Sequence, residues 1–287
     1  MRFVFCLLLL ALSAGFVVAA FPQDEGERQL WDSEFLKKRT PAKPGSAPAK
    51  KPSYRRVTPA SDTKTPGEIV GVTIWKLRQT ESKDSQDSRL LLTEDGEKSE
   101  WTPERTESET IFAVRDRVRL SIESPRDGYL YVIDRESYSD GTTSAPYLVF
   151  PMLRNRGGDN AVKAGKVINL PRTTAFRLEP TKSEYRGEIL TVIISAQPLD
   201  EIKPGPGMIE LDKTVVAQLE EKWKVPVERY EMNGSAGKPL TKAEKEAGED
   251  GSRLLTQEDE LPQTLFRVLA KPGNPILITV SLKVNPK

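Results

Sequence analysis

VRLSIESPRDGYLYVIDRES, residues 118–137, opens the part of this chain that decides its fold. Three further pieces follow it: PYLVFP (146–151), DNAVKAGKVINLP (159–171) and GEILTVIISAQPL (187–199). Each piece places β-branched and aromatic residues next to Pro, Gly or Asp, which is the pattern of short strands separated by turns. The sequence therefore predicts a mainly β domain.

Two kinds of strand are expected within this region. Residues 117–123 alternate apolar and polar side chains, which indicates one buried face. Residues 129–133 and 188–195 are apolar at consecutive positions, so we expect central strands that are covered on both faces. A Pro-Arg-Asp-Gly turn separates the first two runs, and we expect them to pair as a hairpin.

The C-terminal part predicts helices and one more hairpin. Residues 212–224 carry Asp212 as a possible cap, followed by apolar side chains at helical spacing, namely Val215, Val216, Leu219 and Trp223. Thr241 and Glu244 fit a capping box for a second, short helix. Residues 264–270 and 276–284 are expected to form a hairpin. The predicted fold class is a β-sandwich-like domain with one packed amphipathic helix.

The N-terminus reads as a secretory signal peptide over residues 1–20, with cleavage after Ala20. Arg2 precedes an unbroken apolar run, and small residues stand before the cut. A membrane anchor is the alternative, but the apolar run is short for a span. We expect a secreted or periplasmic protein that has no transmembrane span once the signal is removed. Its one cysteine, Cys6, would leave with the signal.

Residues 21–66 are expected to be a basic, Pro-rich disordered linker. Between residues 37 and 66 there are nine Lys or Arg, six Pro and a single acid, Asp62. Such a composition offers little surface to bury against the entropy of ordering. The linker would contact an anionic envelope surface or act as a solvated spacer. Nucleic acid is not expected as a partner, because interleaved aromatic residues are missing.

The remaining residues, 67–287, are expected to form the β-rich domain. Its region 111–200 contains the pieces quoted above, and residues 201–287 form a helix-containing extension. The pieces GYLYV, LVFP, AGKVINLP and GEILTVIIS occur in an order that resembles the bacterial domain-of-unknown-function family 4384. The resemblance covers about a third of the chain. It implies a β-rich recognition or accessory role and carries no catalytic residues.

Composition excludes several familiar chemistries. The chain has no histidine, and its only cysteine lies in the predicted signal. Ser-His-Asp and Cys-His nucleophilic sites and His- or Cys-ligated zinc sites are therefore excluded. No metal, no cofactor and no catalytic residue is predicted. A carboxylate-dependent hydrolase stays open as an alternative, because it needs only two acids in one cleft. The candidate acids are Asp127, Asp134, Glu136, Asp140 and Asp159.

The leading interpretation is a non-catalytic, envelope-associated module that binds a protein or polymer. Two polar segments, 134–141 and 154–160, are the expected binding loops, and a purely structural envelope spacer is a further alternative. The oxygens of the first loop would suit calcium, but their spacing does not match an EF-hand, and Arg135 opposes a cation. The predicted binding residues are Asp134, Glu136, Tyr138, Asp140, Arg154, Arg156, Asp159 and Asn160.

Overall fold

The computed structural model describes residues 35–41, 53–59, 67–94, 96–154, 156–249 and 253–285. The predicted signal peptide, its cleavage point and most of the predicted linker lie outside these ranges. The described strands are β1 (Tyr54–Arg56), β2 (Glu68–Gln79), β3 (Leu90–Glu94), β4 (Glu97–Thr106), β5 (Ile111–Ala113), β6 (Arg117–Glu123), β7 (Gly128–Tyr138), β8 (Tyr147–Phe150), β9 (Ala161–Val162), β10 (Val167–Leu170), β11 (Phe176–Arg177), β12 (Tyr185–Ser195), β13 (Ile209–Glu210), β14 (Val227–Met232), β15 (Thr264–Val268) and β16 (Ile276–Asn285). The described α-helices are α1 (Lys213–Trp223) and α2 (Lys242–Glu249).

These strands form two sheets. The strand order in the first sheet is β1-β14-β15-β2-β4-β3. Strands β15 and β4 pair with successive parts of one edge of β2, and β6 pairs with the other edge of β2. Strands β10 and β11 pair with the far edge of β6. The second follows the order β13-β8-β7-β12-β16-β5, with β9 also paired to β7. The pairing of β5 with β16 is parallel, and the other strand pairings are antiparallel. The mainly β, sandwich-like fold is confirmed.

The main core lies between the facing sides of the two sheets. The first sheet contributes alternate residues of β2 and β6, including Val72 and Leu120, and the second contributes alternate residues of β12 and β16, including Val192 and Ile278. All four side chains are at most 1 % exposed. The period-two pattern of β6 and β16 thus marks the core-facing side of each strand.

Helix α1 covers the outer side of the second sheet. Its buried residues Val216, Leu219 and Trp223 pack with Ile133 of β7 and Ile193 of β12. This second layer explains why those two strands are apolar on both faces. The amphipathic helix is where the sequence predicts it. No helix within the described ranges is long and apolar enough to cross a membrane.

Both predicted hairpins are wrong. Strand β6 belongs to the first sheet and β7 to the second, and the same division separates β15 from β16. Alternation reports which side of a strand is buried, and it does not report which strand lies beside it. The turn between β6 and β7 crosses from one sheet to the other. Arg126 in this turn donates to Glu68 at 2.8 Å and to the Ile194 carbonyl at 3.1 Å, so it ties the two sheets together.

The described part of the predicted linker is not free of the domain. Tyr54–Arg56 is a strand that pairs with β14. Phe35 and Arg39 are 3 % exposed and pack against the first sheet. The expectation of disorder is therefore wrong for these two segments. The composition is poor in apolar residues, but a single Phe and a single paired Arg are enough to anchor an extended chain.

The cap of α1 provides a test of this fold. The Asp212 carboxylate accepts hydrogen bonds from the backbone N–H of Thr214 at 2.6 Å and of Val215 at 3.3 Å. We expect Asp212→Ala to lower the free energy of unfolding by about 1 kcal/mol. Asp200→Ala, at an exposed position, is the control and should change it by less than about 0.5 kcal/mol. Urea denaturation followed by circular dichroism measures both, and equal effects would contradict the capping role.

Candidate functional site

The candidate site lies on the core-facing side of β7 and β12, next to the end of the apolar core. Leu130 and Val132 of β7 face the core, and the next positions with the same orientation are Asp134 and Glu136. In the β7–β12 register, Glu136 lies opposite Glu188. The diagonal neighbour of Glu188 on that face is Asp134. Three carboxylates therefore share one face where the apolar residues stop.

These carboxylates line a cleft of about 510 Å³. This volume is in the range of small-molecule and oligomer-binding clefts in proteins. The other lining side chains come from β7, from β8 and the segment before it, from the loop before β12, from the residue before β13 and from the start of α1. They are Arg135, Tyr138, Thr143, Ser144, Ala145, Tyr147, Thr181, Lys182, Met208 and Lys213.

Asp134 and Glu188 behave as a pair. The buried Tyr185 hydroxyl donates to Glu188 Oε1 at 2.7 Å. Asp134 Oδ1 and Glu188 Oε2 are buried and receive no hydrogen bond from the described residues. Burial raises the pKa of Asp134 to about 6, and burial together with the charge of Asp134 raises the pKa of Glu188 to about 8. Both shifts favour the protonated form, because a proton on either carboxyl removes the repulsion between two buried negative charges.

Glu136 is the more accessible carboxylate of the cleft. It accepts a hydrogen bond from the Thr181 hydroxyl at 2.6 Å, and its backbone N–H donates to Ser144 at 3.0 Å. These two hydrogen bonds fix the position of Glu136 in the cleft. The neighbouring Arg135 is held by α1, since it donates to Glu220 Oε1 at 2.5 Å and to Thr191 at 2.9 Å.

Two tyrosines give the cleft apolar surface. Tyr138 is buried, and the ammonium group of Lys182 lies 4.7 Å from the centre of its ring. Tyr147 is 38 % exposed at the mouth, and its hydroxyl donates to Glu210 at 3.3 Å. Met208 is 63 % exposed beside it. The cleft therefore combines acceptor groups with flat, accessible apolar surface.

The structure separates the residues that the sequence groups together. Asp134, Glu136 and Tyr138 line the cleft, but they belong to β7 and not to a loop. Strand β8 pairs with β7 as far as Asp134, and β12 pairs with β7 as far as Tyr138, so the strand runs through all three residues. Asp140 follows in a turn, where it accepts from the backbone and hydroxyl of Thr142 at 2.9 and 2.7 Å.

The second predicted segment lies away from this cleft. Arg154 and Asp159 are exposed, and only the backbone of Arg156 is described. Asn160 donates to the Leu130 carbonyl at 2.9 Å and accepts from the Leu130 N–H at 2.9 Å. Leu130 and Glu136 are six residues apart on one strand, which is roughly 20 Å. Asn160 therefore fixes the other end of β7.

Sequence reasoning missed Glu188, the residue that completes the acidic pair. It also missed Tyr147 and Lys182 at the mouth. The available signal was an acid directly beside the apolar run of β12, just as Asp134 directly follows the apolar run of β7. The sequence does not show the register between β7 and β12, so it could not show that Glu188 lies beside Asp134.

No group of three or more Asp, Glu, His or Cys side chains in the described ranges is placed to hold a metal ion. Comparisons of the chain with family profiles, with curated proteins and with solved structures find no match. The resemblance to family 4384 therefore has no support beyond the quoted sequence segments.

The raised pKa values predict how stability depends on pH. Folded Asp134 and Glu188 hold protons that the unfolded chain releases near its ordinary values of 3.8 and 4.5. Their contribution is complete below those values and is lost as pH rises through about 6 to 8. We expect the free energy of unfolding to fall between pH 5 and pH 8, by at most about 1.4 kcal/mol per pH unit for each carboxyl that keeps its proton only in the folded state.

Glu188→Gln removes one of the two titrating groups and should flatten this dependence. Asp159→Asn, which changes an exposed acid outside the cleft, should leave it intact. Urea denaturation at pH 5, 6.5 and 8 provides the measurement. A wild-type protein that becomes more stable towards pH 8, or a Glu188→Gln variant with an unchanged slope, would contradict the paired carboxyls.

Proposed function

We propose that this protein is a secreted or periplasmic, non-catalytic binding module that recognises an envelope polymer through the cleft of Asp134, Glu136 and Glu188. The observation that supports this proposal is the cleft itself. Carboxylates, hydroxyls and an exposed tyrosine converge there on a space large enough for a ligand. The location rests on the signal peptide predicted for residues 1–20.

The side chains indicate the chemistry of the ligand. Glu136 offers acceptor oxygens, and the Asp134–Glu188 pair offers a proton donor together with further acceptors. Tyr147 offers an apolar ring with a polar tip, which suits a ligand that is apolar on one face and polar at its edge. A glycan with hydroxyl and amino groups has these properties. We therefore propose an amino-sugar polymer as the ligand class.

The direct test is calorimetric titration with glucosamine oligosaccharides and with their N-acetylated counterparts. We expect the amine form to bind more tightly, because its ammonium groups pair with the carboxylates. Glu136→Gln should weaken binding about tenfold, which corresponds to the loss of one charge-assisted hydrogen bond. Tyr147→Ala should weaken binding of both forms.

Asp159→Asn is the matched control, because it removes an equal charge outside the cleft. Its affinity should equal that of the wild-type protein. If Asp159→Asn and Glu136→Gln lower the affinity equally, binding depends on the overall charge of the protein and not on the cleft. Absence of binding to every oligosaccharide would reject the ligand class and favour the structural spacer.

A second candidate, a carboxylate-dependent hydrolase, is favoured by the pKa difference between Asp134 and Glu188. Two acids in one cleft with separated pKa values are the arrangement that acid–base hydrolysis requires. The cleft also presents Tyr147 and Met208, which are 38 % and 63 % exposed, and this accessible apolar surface serves binding and takes no part in proton transfer. Binding is therefore the better supported function.

A binding module and a hydrolase differ in whether the protein cleaves the oligosaccharide that it binds. We expect the wild-type protein to leave glucosamine oligosaccharides intact over a prolonged incubation at pH 5 to 8, as followed by mass spectrometry. Cleavage that disappears in both Asp134→Asn and Glu188→Gln would instead assign the hydrolase. Cleavage that survives in these variants would come from a contaminant.

A further inference from the structure

Residues Phe35–Thr40, here called the clasp, lie in a groove on the outer side of the first sheet. Phe35 is buried with Ile69, Tyr230 and Leu265. These residues come from β2, β14 and β15, which are neighbours in the sheet. The ring of Phe35 thus fills a pocket made by three strands that are distant from it in sequence.

Arg39 makes the most specific contact of the clasp. Its Nε donates to Glu123 Oε1 at 2.8 Å, and its Nη2 donates to Glu123 Oε2 at 2.7 Å. Both side chains are at most 2 % exposed. Arg39 also donates to the carbonyls of Asp259 at 2.8 Å and of Glu260 at 3.2 Å. A lysine has no planar fork and could not reproduce this set of bonds.

The backbone of the clasp forms a 3-10 turn over Leu36–Lys38, and Thr40 then makes a single parallel β-bridge with Thr256. The Thr40 N–H donates to the Leu255 carbonyl at 3.0 Å, and the Gln257 N–H donates to the Thr40 carbonyl at 2.9 Å. The Gln257 side chain donates to the Leu36 carbonyl at 3.2 Å. The groove therefore holds a short helical turn that carries an aromatic residue and, four positions later, an Arg.

The groove is filled by this peptide and offers no separate small-molecule site. The cavity left beside Arg39, Trp75 and Arg105 measures about 30 Å³, which is the volume of one water. The ligand that this groove is built for is thus the clasp sequence itself.

The connection between the clasp and the next described segment allows more than one arrangement. Eleven residues, 42–52, join Pro41 to Ser53, and an extended chain of that length reaches up to about 40 Å. The hydrogen bonds of Arg39 reach residues 84 or more positions away in the chain, and Phe35 packs against Ile69 of β2. The same contacts are therefore available to the clasp of another copy.

We propose that the groove is an exchange site, which binds Phe35–Thr40 either from its own chain or from a second copy of the protein. The exchanged form is a dimer in which each Arg39 pairs with Glu123 of the other copy. All contacts are conserved in the exchange, so protein concentration sets the balance between the two forms.

Two full-length variants that complement each other test the exchange. The first carries Phe35→Ala and Arg39→Ala, so its groove is intact and its clasp is inactive. The second carries Glu123→Gln, so its clasp is intact and its groove is impaired. Size-exclusion chromatography with light scattering should show each variant as a monomer and their mixture as a one-to-one dimer. The wild-type protein should dimerise on concentration.

A peptide assay tests recognition of the clasp by the groove without requiring a dimer. The peptide of residues 35–41 should bind the first variant, and the same peptide with Ala in place of Arg39 should bind at least tenfold more weakly. If circular dichroism shows that the double variant is unfolded, Arg39→Lys replaces it in both assays. The exchange is rejected if the wild-type protein stays monomeric on concentration and the mixture forms no dimer, or if both peptides bind equally.

Discussion

The antiparallel register between β7 and β12 is the constraint on which both the core and the candidate site depend. It places Val132 opposite Val192 and Leu190 opposite Asp134, so that one continuous face is apolar first and acidic afterwards. A shift by one residue would turn every one of these side chains to the opposite side of the sheet. The apolar half of the face therefore fixes the position of the acidic half.

The carboxylates in the acidic half of this face lower the stability of the folded protein. A buried carboxylate without a partner is destabilising, and two adjacent ones repel each other. Here the Tyr185 hydroxyl donates to Glu188, and the raised pKa values of Asp134 and Glu188 favour protonation, which reduces that cost. A sequence shaped only for stability would place apolar residues at these positions, whereas polar groups that lower stability in a cleft are typical of sites that bind a ligand.

The sequence predicted features that depend on local patterns. The β-rich class, the core-facing side of β6 and β16, the two-sided character of β7 and β12 and the cap of α1 by Asp212 were all accessible from residue spacing. The capping box was accessible as well, since Thr241 and Glu244 exchange hydrogen bonds at the start of α2. Each of these features joins residues that are close in the chain.

The features that escaped prediction join residues that are far apart. Alternation could not show that β6 and β7 lie in different sheets, because either partner would bury the same face. Glu188 reaches Asp134 only through strand register. Arg39 looked like one more charge in a basic linker, because its partner Glu123 is 84 positions away. Composition could not foresee that single contact.

The account stands on the claim that Asp134 and Glu188 form a ligand-responsive pair. Carboxyl carbon NMR of the full chain, titrated between pH 4 and pH 9 with and without a glucosamine oligosaccharide, measures it directly. The account predicts that the pair keeps one proton at pH 7 in the free protein. It also predicts that saturating ligand moves both titration midpoints to lower pH, because ammonium groups stabilise the ionised carboxylates. Midpoints that do not change with ligand, or two carboxyls that both titrate below about pH 5 in the free protein, would contradict it.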